Sequence, residues 1–331
     1  MNIQLRGIGA YSPVKELTNF DLTGMVETSD EWIRSRSGIV SRHIAAPGET
    51  VVTMGCAASR EALRRAGMGP EQVDCIVMCS TSPAQIFPAG ACLLQKELEC
   101  HNAFAFDLQA ACSGLLFSLQ TARGLMSTMP KVKTALVVAS EKMSAMVDWS
   151  NRETCVLFGD GACAVVLERN DCRPESFLAC NLYSDGTFAS QLQIKAGGSL
   201  HPASPETVTA REHFLSMDGK AIFKQSVIVM AECAKKLLEE QRLSPDQIKY
   251  FVPHQANIRI IESVAEKLQM RDKLFVNIRH HGNTCSAAVG QALYEMDRRH
   301  LLRENDLLLL VTAGAGLTWG SMLLRWQKLR R

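Results

Sequence analysis

The sequence predicts an α/β protein built from two duplicated halves, and three observations carry that expectation. Residues 57–66 place apolar side chains at helical spacing and lead through Gly69-Pro70-Glu71-Gln72-Val73-Asp74 into the apolar run Cys75-Ile76-Val77-Met78-Cys79. Residues 229–240 do the same, leading through Ser244-Pro245-Asp246-Gln247-Ile248-Lys249 into Tyr250-Phe251-Val252; Gln72 and Gln247 lie 175 residues apart. The later elements also correspond in order. The strand-like residues 103–108 before Cys112 match residues 274–278 before Gly282-Asn283-Thr284, and residues 135–138 match Leu307-Leu308-Leu309-Leu310-Val311. Strands alternating with helices in each half predict two mixed sheets with helix layers. The halves are expected at 1–172 and 173–331, with loops at the carboxyl ends of the strands converging on one site.

Taken in chain order, the elements point to specific chemistry. Residues 103–108 read as a short buried strand, and Gly114 to Met126 carries Leu115, Leu116, Leu119, Ala122, Leu125 and Met126 at helical spacing. Cys112 therefore sits at a strand-to-helix junction, where free backbone N–H groups and the helix dipole favour a thiolate. A thiolate is the form of cysteine that attacks a carbonyl. Residues 185–213, rich in Gly, Ser and Pro, predict a long loop or lid. His254 directly follows the strand at 250–252, and Asn283 lies beyond the strand at 274–278. The repeat thus sets Cys112, His254 and Asn283 each just past the end of a core strand. Ala313-Gly314-Ala315-Gly316 ends the strand at 307–311 and offers backbone N–H groups to an oxyanion.

Composition limits the alternatives. The 331 residues are 47% hydrophobic and 21% charged, enough for a sizeable core, and a net charge of +2 argues against a protein whose whole surface binds nucleic acid. Met1-Asn2-Ile3-Gln4-Leu5-Arg6 lacks the apolar stretch of a secretory leader, and the run at 307–311 is too short to span a bilayer. Twelve cysteines without C-x-x-C spacing read as reduced thiols of a cytoplasmic protein with no metal site. Two motifs mislead. Gly159-Asp160-Gly161-Ala162-Cys163-Ala164 has a dinucleotide-binding spacing but continues as a strand, not as the helix a pyrophosphate needs. Cys112 and His254 have papain-like separation, yet Ser113-Gly114 replaces the aromatic of that signature.

With these residues in place, the chain resembles the β-ketoacyl-[acyl-carrier-protein] synthase III family, the initiating condensing enzymes of type II fatty-acid synthesis, over essentially its full length. The resemblance rests on an ordered set of motifs. These are Ile8-Gly9-Ala10-Tyr11-Ser12-Pro13, Thr28-Ser29-Asp30-Glu31-Trp32-Ile33, Arg36-Ser37-Gly38-Ile39 and Arg42-His43-Ile44-Ala45. They continue with Ala110-Ala111-Cys112-Ser113-Gly114, Leu157-Phe158-Gly159-Asp160-Gly161-Ala162, Pro253-His254-Gln255-Ala256-Asn257, His281-Gly282-Asn283-Thr284 and Gly316-Leu317-Thr318-Trp319-Gly320.

The resemblance implies a thiolase-like fold, a five-layer αβαβα sandwich. It implies Cys112 as acyl acceptor, His254 and Asn283 as holders of the malonyl thioester oxygen, and backbone N–H groups of Cys112 and Ala315 as oxyanion donors. It implies coenzyme A contacts at Trp32, Arg36 and Arg152, carrier-protein contacts at Gln255, Ala256, Asn257, Ile258 and Arg259, and Phe87 closing the acyl pocket across a homodimer. The implied substrates are an acyl-coenzyme A, acetyl foremost, and malonyl-[acyl-carrier protein], with no cofactor and no nucleic-acid or membrane partner.

Three departures stand out: Ala313 in place of a usual phenylalanine, Ala315 within a run of glycines, and Thr284-Cys285-Ser286-Ala287-Ala288-Val289-Gly290 where the family ends in proline. They keep two other readings in view, a ketoacyl synthase III of specialised metabolism and a non-catalytic dimer partner of another synthase.

Overall fold

The repeated Pro-acid-Gln run becomes the same small device in both halves. Pro70–Gln72 and Pro245–Gln247 are single 3-10 turns. In each, the glutamine side-chain oxygen reaches back to the backbone N–H three residues earlier, Gln72 to Gly69 at 2.9 Å and Gln247 to Ser244 at 3.0 Å. Each turn hands the chain from an outer helix into a central strand.

The protein is described here by a computed structural model covering residues 2–329. One sheet contains β1 (Ile3–Tyr11), β2 (Cys75–Cys79), β3 (Phe104–Leu108), β4 (Thr134–Glu141) and β5 (Gly161–Arg169), in the order β1-β5-β4-β2-β3. The other contains β6 (Phe177–Ser184), β7 (Tyr250–Pro253), β8 (Leu307–Gly314) and β9 (Thr318–Arg325), in the order β6-β9-β8-β7. Both sheets are mixed in the same sense. β1-β5-β4 and β6-β9-β8 are antiparallel, while β4-β2-β3 and β8-β7 are parallel. The expected boundary at 172/173 falls in the connection between β5 and β6.

Alternation along the strands builds the layers, because successive side chains face opposite ways. Cys75, Val77 and Cys79 of β2, with Leu308 and Leu310 of β8, face a central cluster shared by both sheets. The helices Gly114–Thr128 and Ala288–Arg298 fill that layer through Leu115, Leu119, Val289 and Met296. Ile76 and Met78 face outward onto Val51–Ala66 and Gly90–Leu98. Leu309 and Val311 face the opposite way, onto Gly219–Glu240 and Ile258–Lys267. The result is the five-layer αβαβα sandwich of the thiolase fold. Gly290 marks how tightly its middle closes, since a Cβ there would lie 2.1 Å from Cys163 Sγ of β5.

Three expectations need correction. Of residues 103–108 only Ala103 is buried: β3 is an edge strand paired on one side alone, with Phe104 exposed and Ala105, Phe106 and Leu108 half-buried. Residues 185–213 are not a bare loop. They hold a 3-10 segment (Gly186–Gln191), the strand Leu192–Ile194 paired with Leu215–Met217, and the helix Pro205–Thr209. An ion pair between Arg211 and Asp148 ties this hairpin down, and it holds the Asp148 carboxyl well below the usual range.

The third is the strand expected over 274–278, which shrinks to one parallel bridge between Leu274 and Phe251. Gln255 explains the difference. Its side-chain NH2 donates to the carbonyls of Pro253 (2.8 Å) and Phe275 (3.3 Å), and its oxygen accepts from the N–H groups of Asn277 (3.0 Å) and Ile278 (3.3 Å). One buried side chain supplies the bonds that a strand ladder would have made.

No helix among the described residues is long and apolar enough to cross a membrane. Replacing Gln255 by leucine keeps its volume but takes a partner from two N–H groups and two carbonyls in the core. Gln255→Leu should lower stability by about 4 kcal/mol or more in urea unfolding, since each of the four groups left without its partner costs about 1–3 kcal/mol. A midpoint equal to wild type would show that these bonds are dispensable.

Candidate active site

Cys112 lies in a single 3-10 turn, Ala111–Ser113, between β3 and the central helix Gly114–Thr128. To enter that turn the backbone passes through the left-handed region at Ala111, with φ +46°, a conformation that costs a residue with a Cβ. The surroundings hold it there. Ser113 N–H donates to Ala110 O at 3.0 Å, Ser113 Oγ donates to Thr318 O at 2.9 Å, and Thr318 Oγ1 donates back to Ala110 O at 2.8 Å. Gly314, the last residue of β8, packs directly on the turn, where a Cβ would lie 2.6 Å from Cys112 N. Only glycine permits that approach, and the Thr318 hydroxyl that bonds Ala110 O also reaches Ala315 O at 3.2 Å.

His254 leaves the end of β7, with its N–H donating to Val311 O of β8 at 2.8 Å. The side chain is buried, and neither ring nitrogen has a hydrogen-bond partner within the protein. A buried imidazole without partners is costly. It lines the same cavity as Cys112, so its N–H is free for a bound group there.

Asn283 is held by the glycine-containing motif that resembled a nucleotide loop. Asn283 N–H donates to Leu157 O at 2.8 Å, and Gly159 N–H donates to Asn283 O at 3.1 Å. These bonds form a parallel bridge between Phe158 and Asn283. The Asp160 carboxylate accepts from Ala45 N–H at 2.7 Å and Ser144 N–H at 2.8 Å, which anchors the motif from behind. The side-chain oxygen of Asn283 accepts the N–H of Cys285 at 2.9 Å. With the oxygen engaged, the amide offers the site its NH2, a donor.

Cys112, His254 and Asn283 line one cavity of about 150 Å³, walled by Leu157, Phe158, Ile222, Phe223, Ala313 and Leu317. Leu192 and Met217 of the hairpin close it from the other side. The small side chain at Ala313 adds to the room beside His254. A second hollow of about 560 Å³, between Arg65, Arg298, Arg303 and Trp326, contains none of the site residues. Inside the site, the hydrogen bond from Cys285 pulls the Cys112 thiol well below its ordinary pKa, with a further contribution from His254, while burial opposes both. By contrast burial, with the Asp74 charge adding to it, pushes Cys75 up to about 12.

The other expected contacts divide. Two guanidinium groups lie over the Trp32 ring, Arg36 at 4.7 Å and Arg152 at 5.0 Å from its centroid. Trp149 and Leu157 pack against both the cluster around Trp32 and the one around Cys112, which links the two places. Along Gln255 to Arg259, Gln255 is buried and committed to the fold, so its side chain is withdrawn from any surface contact. Asn257 caps Ile258–Lys267 by accepting Arg259 N–H at 2.9 Å, Ala256 and Ile258 are half-buried, and Arg259 is exposed over Phe223. Phe87 is 83% exposed and Ile86 82%, and neither lines the cavity of its own chain.

Two participants escaped the sequence reading, Cys285 and the buried Glu141. Cys285 Sγ lies 3.4 Å from Cys112 Sγ and 3.3 Å from Thr81 Oγ1, and Thr81 donates to Glu141 at 3.0 Å. The repeat carries the signal that could have found Cys285, since it occupies the place of Ala111, 174 residues on, with φ +51°. Among the described residues no three His, Cys, Asp or Glu side chains group closely enough to hold a metal.

The model of 3-oxoacyl-[acyl-carrier-protein] synthase III matches residues 106–186, and that of the C-terminal region of the same enzymes matches residues 238–326. A β-ketoacyl-[acyl-carrier-protein] synthase III of Caldanaerobacter subterraneus is 42% identical over 323 residues, covering 97% of each chain. The crystal structure of the synthase III from Aquifex aeolicus, 40% identical, superposes with a TM-score of 0.90 over 98% of this chain and 100% of its own. That from Pseudomonas aeruginosa, 35% identical, superposes at 0.91 over 100% of both.

Proposed function

The chain belongs to the β-ketoacyl-[acyl-carrier-protein] synthase III family, the initiating condensing enzymes of fatty-acid synthesis, and we propose that Cys112, His254 and Asn283 divide that reaction between them. The Cys112 thiolate attacks the thioester carbonyl of an acyl-coenzyme A, acetyl foremost. The tetrahedral oxyanion is held by the backbone N–H groups of Cys112 and Ala315, and coenzyme A leaves as its thiolate. Malonyl-[acyl-carrier protein] then enters and loses carbon dioxide, and the electron pair passes to an enolate. His254 and Asn283 donate hydrogen bonds to that enolate oxygen. Its carbon attacks the acyl group, the bond to Cys112 breaks, and 3-oxoacyl-[acyl-carrier protein] leaves with the thiolate restored.

The observation that carries this reading is the pairing of two unmet donors with one lowered thiol. His254 has no protein partner, and Asn283 has its oxygen engaged and its NH2 left to give. In a Cys-His-Asn hydrolase the asparagine would accept from the imidazole. Here both groups are suited to the same external oxygen. No metal or organic cofactor enters these steps.

Three further assignments belong to the proposal. Coenzyme A is read by Trp32, Arg36 and Arg152, an aromatic face flanked by two cations, suited to adenine and phosphates. The acidic carrier protein docks on Arg259 with exposed Lys220 and Lys224, which neighbour the cavity residues Gly219 and Phe223. The enzyme works as a homodimer, because Ile86, Phe87 and the edge strand β3 leave large apolar side chains in water in a single chain. Twelve free thiols suit a reducing compartment, the cytoplasm.

His254→Ala and Asn283→Ala should each still form the acyl-enzyme yet condense about a hundredfold or more slowly, the usual cost of one lost oxyanion donor. Acyl-enzyme is read by intact mass and condensation by the 3-oxoacyl product. A variant that condenses normally once acylated would reverse the assignment. Light scattering should give the mass of a dimer, and Phe87→Ala should accept longer primers without changing that mass. A monomer would remove the interface.

A further inference from the structure

We propose that Cys285 is a second catalytic thiol, whose S–H donates to the Cys112 thiolate and holds the nucleophile ready for attack. The proposal rests on the reading of Cys112 as acyl acceptor and adds a partner to it. The two sulfurs are 3.4 Å apart and both are buried. Cys285 is not free to turn away. Its N–H is bound by Asn283, its backbone is fixed at φ +51°, and its sulfur contacts Thr81 Oγ1.

A single S–H therefore has two acceptors in reach, Thr81 at 3.3 Å and Cys112 at 3.4 Å. The charge on Cys112 decides between them, because an ionised acceptor binds a proton donor more strongly than a neutral hydroxyl does. Thr81 can spend its own proton on Glu141, whose carboxylate also accepts from Ser82 Oγ at 2.8 Å and from Ser286. Once Cys112 is acylated its sulfur is neutral, and the Cys285 S–H swings to Thr81. When condensation restores the thiolate, the proton swings back. No proton leaves Cys285 in either state, so the thiol steadies the charge without competing as a nucleophile.

The groups around Cys112 agree with this division. Facing it are Cys285, the His254 imidazole from β7 and its own backbone N–H, amid apolar Met143, Val147 and Phe158. Behind Cys285 stands Glu141, and beneath Gly114 stands Cys79, whose thiol burial pushes up to about 12. The contact between the sulfurs lowers Cys112 and raises Cys285, and the Glu141 charge raises Cys285 further. The proton stays on the sulfur nearer the carboxylate.

Cys285→Ala and Cys285→Ser separate a donor from a space-filler. Alkylation of Cys112 by iodoacetamide, followed from about pH 5 to 10 by peptide mass spectrometry, reads the thiolate directly. Cys285→Ala should move the inflection upward by about one to two pH units, the scale of one hydrogen bond to a charged group, and slow alkylation about tenfold or more near neutral pH. Cys285→Ser keeps a donor and should stay close to wild type. Far-ultraviolet dichroism checks that both variants fold. An inflection unmoved in Cys285→Ala, or moved equally in both variants, overturns the role of Cys285. If Cys112 still takes the acyl group from acyl-coenzyme A in that case, the nucleophile assignment survives alone; acyl transfer to another residue would remove both.

Discussion

The meeting of two helix-opening turns at the centre of the sandwich is the constraint on which the rest of the site depends. Each half of the chain ends a strand-and-turn unit with a residue forced into the left-handed region, Ala111 in the first and Cys285 in the second, and then enters a central helix. The two helices share one packed layer between the sheets, with Gly290 closing on Cys163 and Gly314 on Cys112. Close packing of that layer leaves the turns no room to separate. Two backbone positions that would be strained in isolation are held by the bonds and contacts around them. Their proximity sets one sulfur against another.

The duplication also divides labour. The first half supplies the thiol and a helix N-terminus, the environment that favours an anion. The second supplies donors with nothing in the protein to bind. On the proposed reading, the same topological position therefore serves a nucleophile in one copy and its surroundings in the other. Glu141 belongs to the first sheet yet reaches across, through Thr81 and Ser286, to the turn of the second. A buried carboxylate surrounded by hydroxyl donors stiffens that junction, and burial raises its pKa against those bonds.

Much of this was legible in the sequence because the chemistry sits at strand ends, and strand ends are what periodicity and repeats locate best. Cys112, His254 and Asn283 follow β3, β7 and the bridge at Leu274, and each comes to the same cavity. Less visible were features decided by a single side chain or by the position of a strand in its sheet. Nothing local distinguishes Gln255 at a surface from Gln255 replacing a strand ladder. The apolar residues of β3 read as buried, since an edge awaiting a partner has the composition of a core strand. The hairpin over 192–217 was hidden by its glycines and prolines, and it is tied to the body by distant partners, the pair Arg211 and Asp148 and the bond from Leu215 N–H to Met146 O. Cys285 looked like an irregularity in a small-residue run. Only aligning the two halves on their left-handed residues gives it a place.

On the proposed reading, the strand-to-helix junction makes Cys112, among twelve cysteines, the one that accepts an acyl group. Mass spectrometry of the protein after brief incubation with acetyl-coenzyme A tests it most directly, first on the intact chain and then on its peptides. One added acetyl group is expected, found on the peptide containing Cys112 and absent from Cys112→Ser. An acetyl group on the peptide containing Cys285, or one that persists in Cys112→Ser, would contradict it.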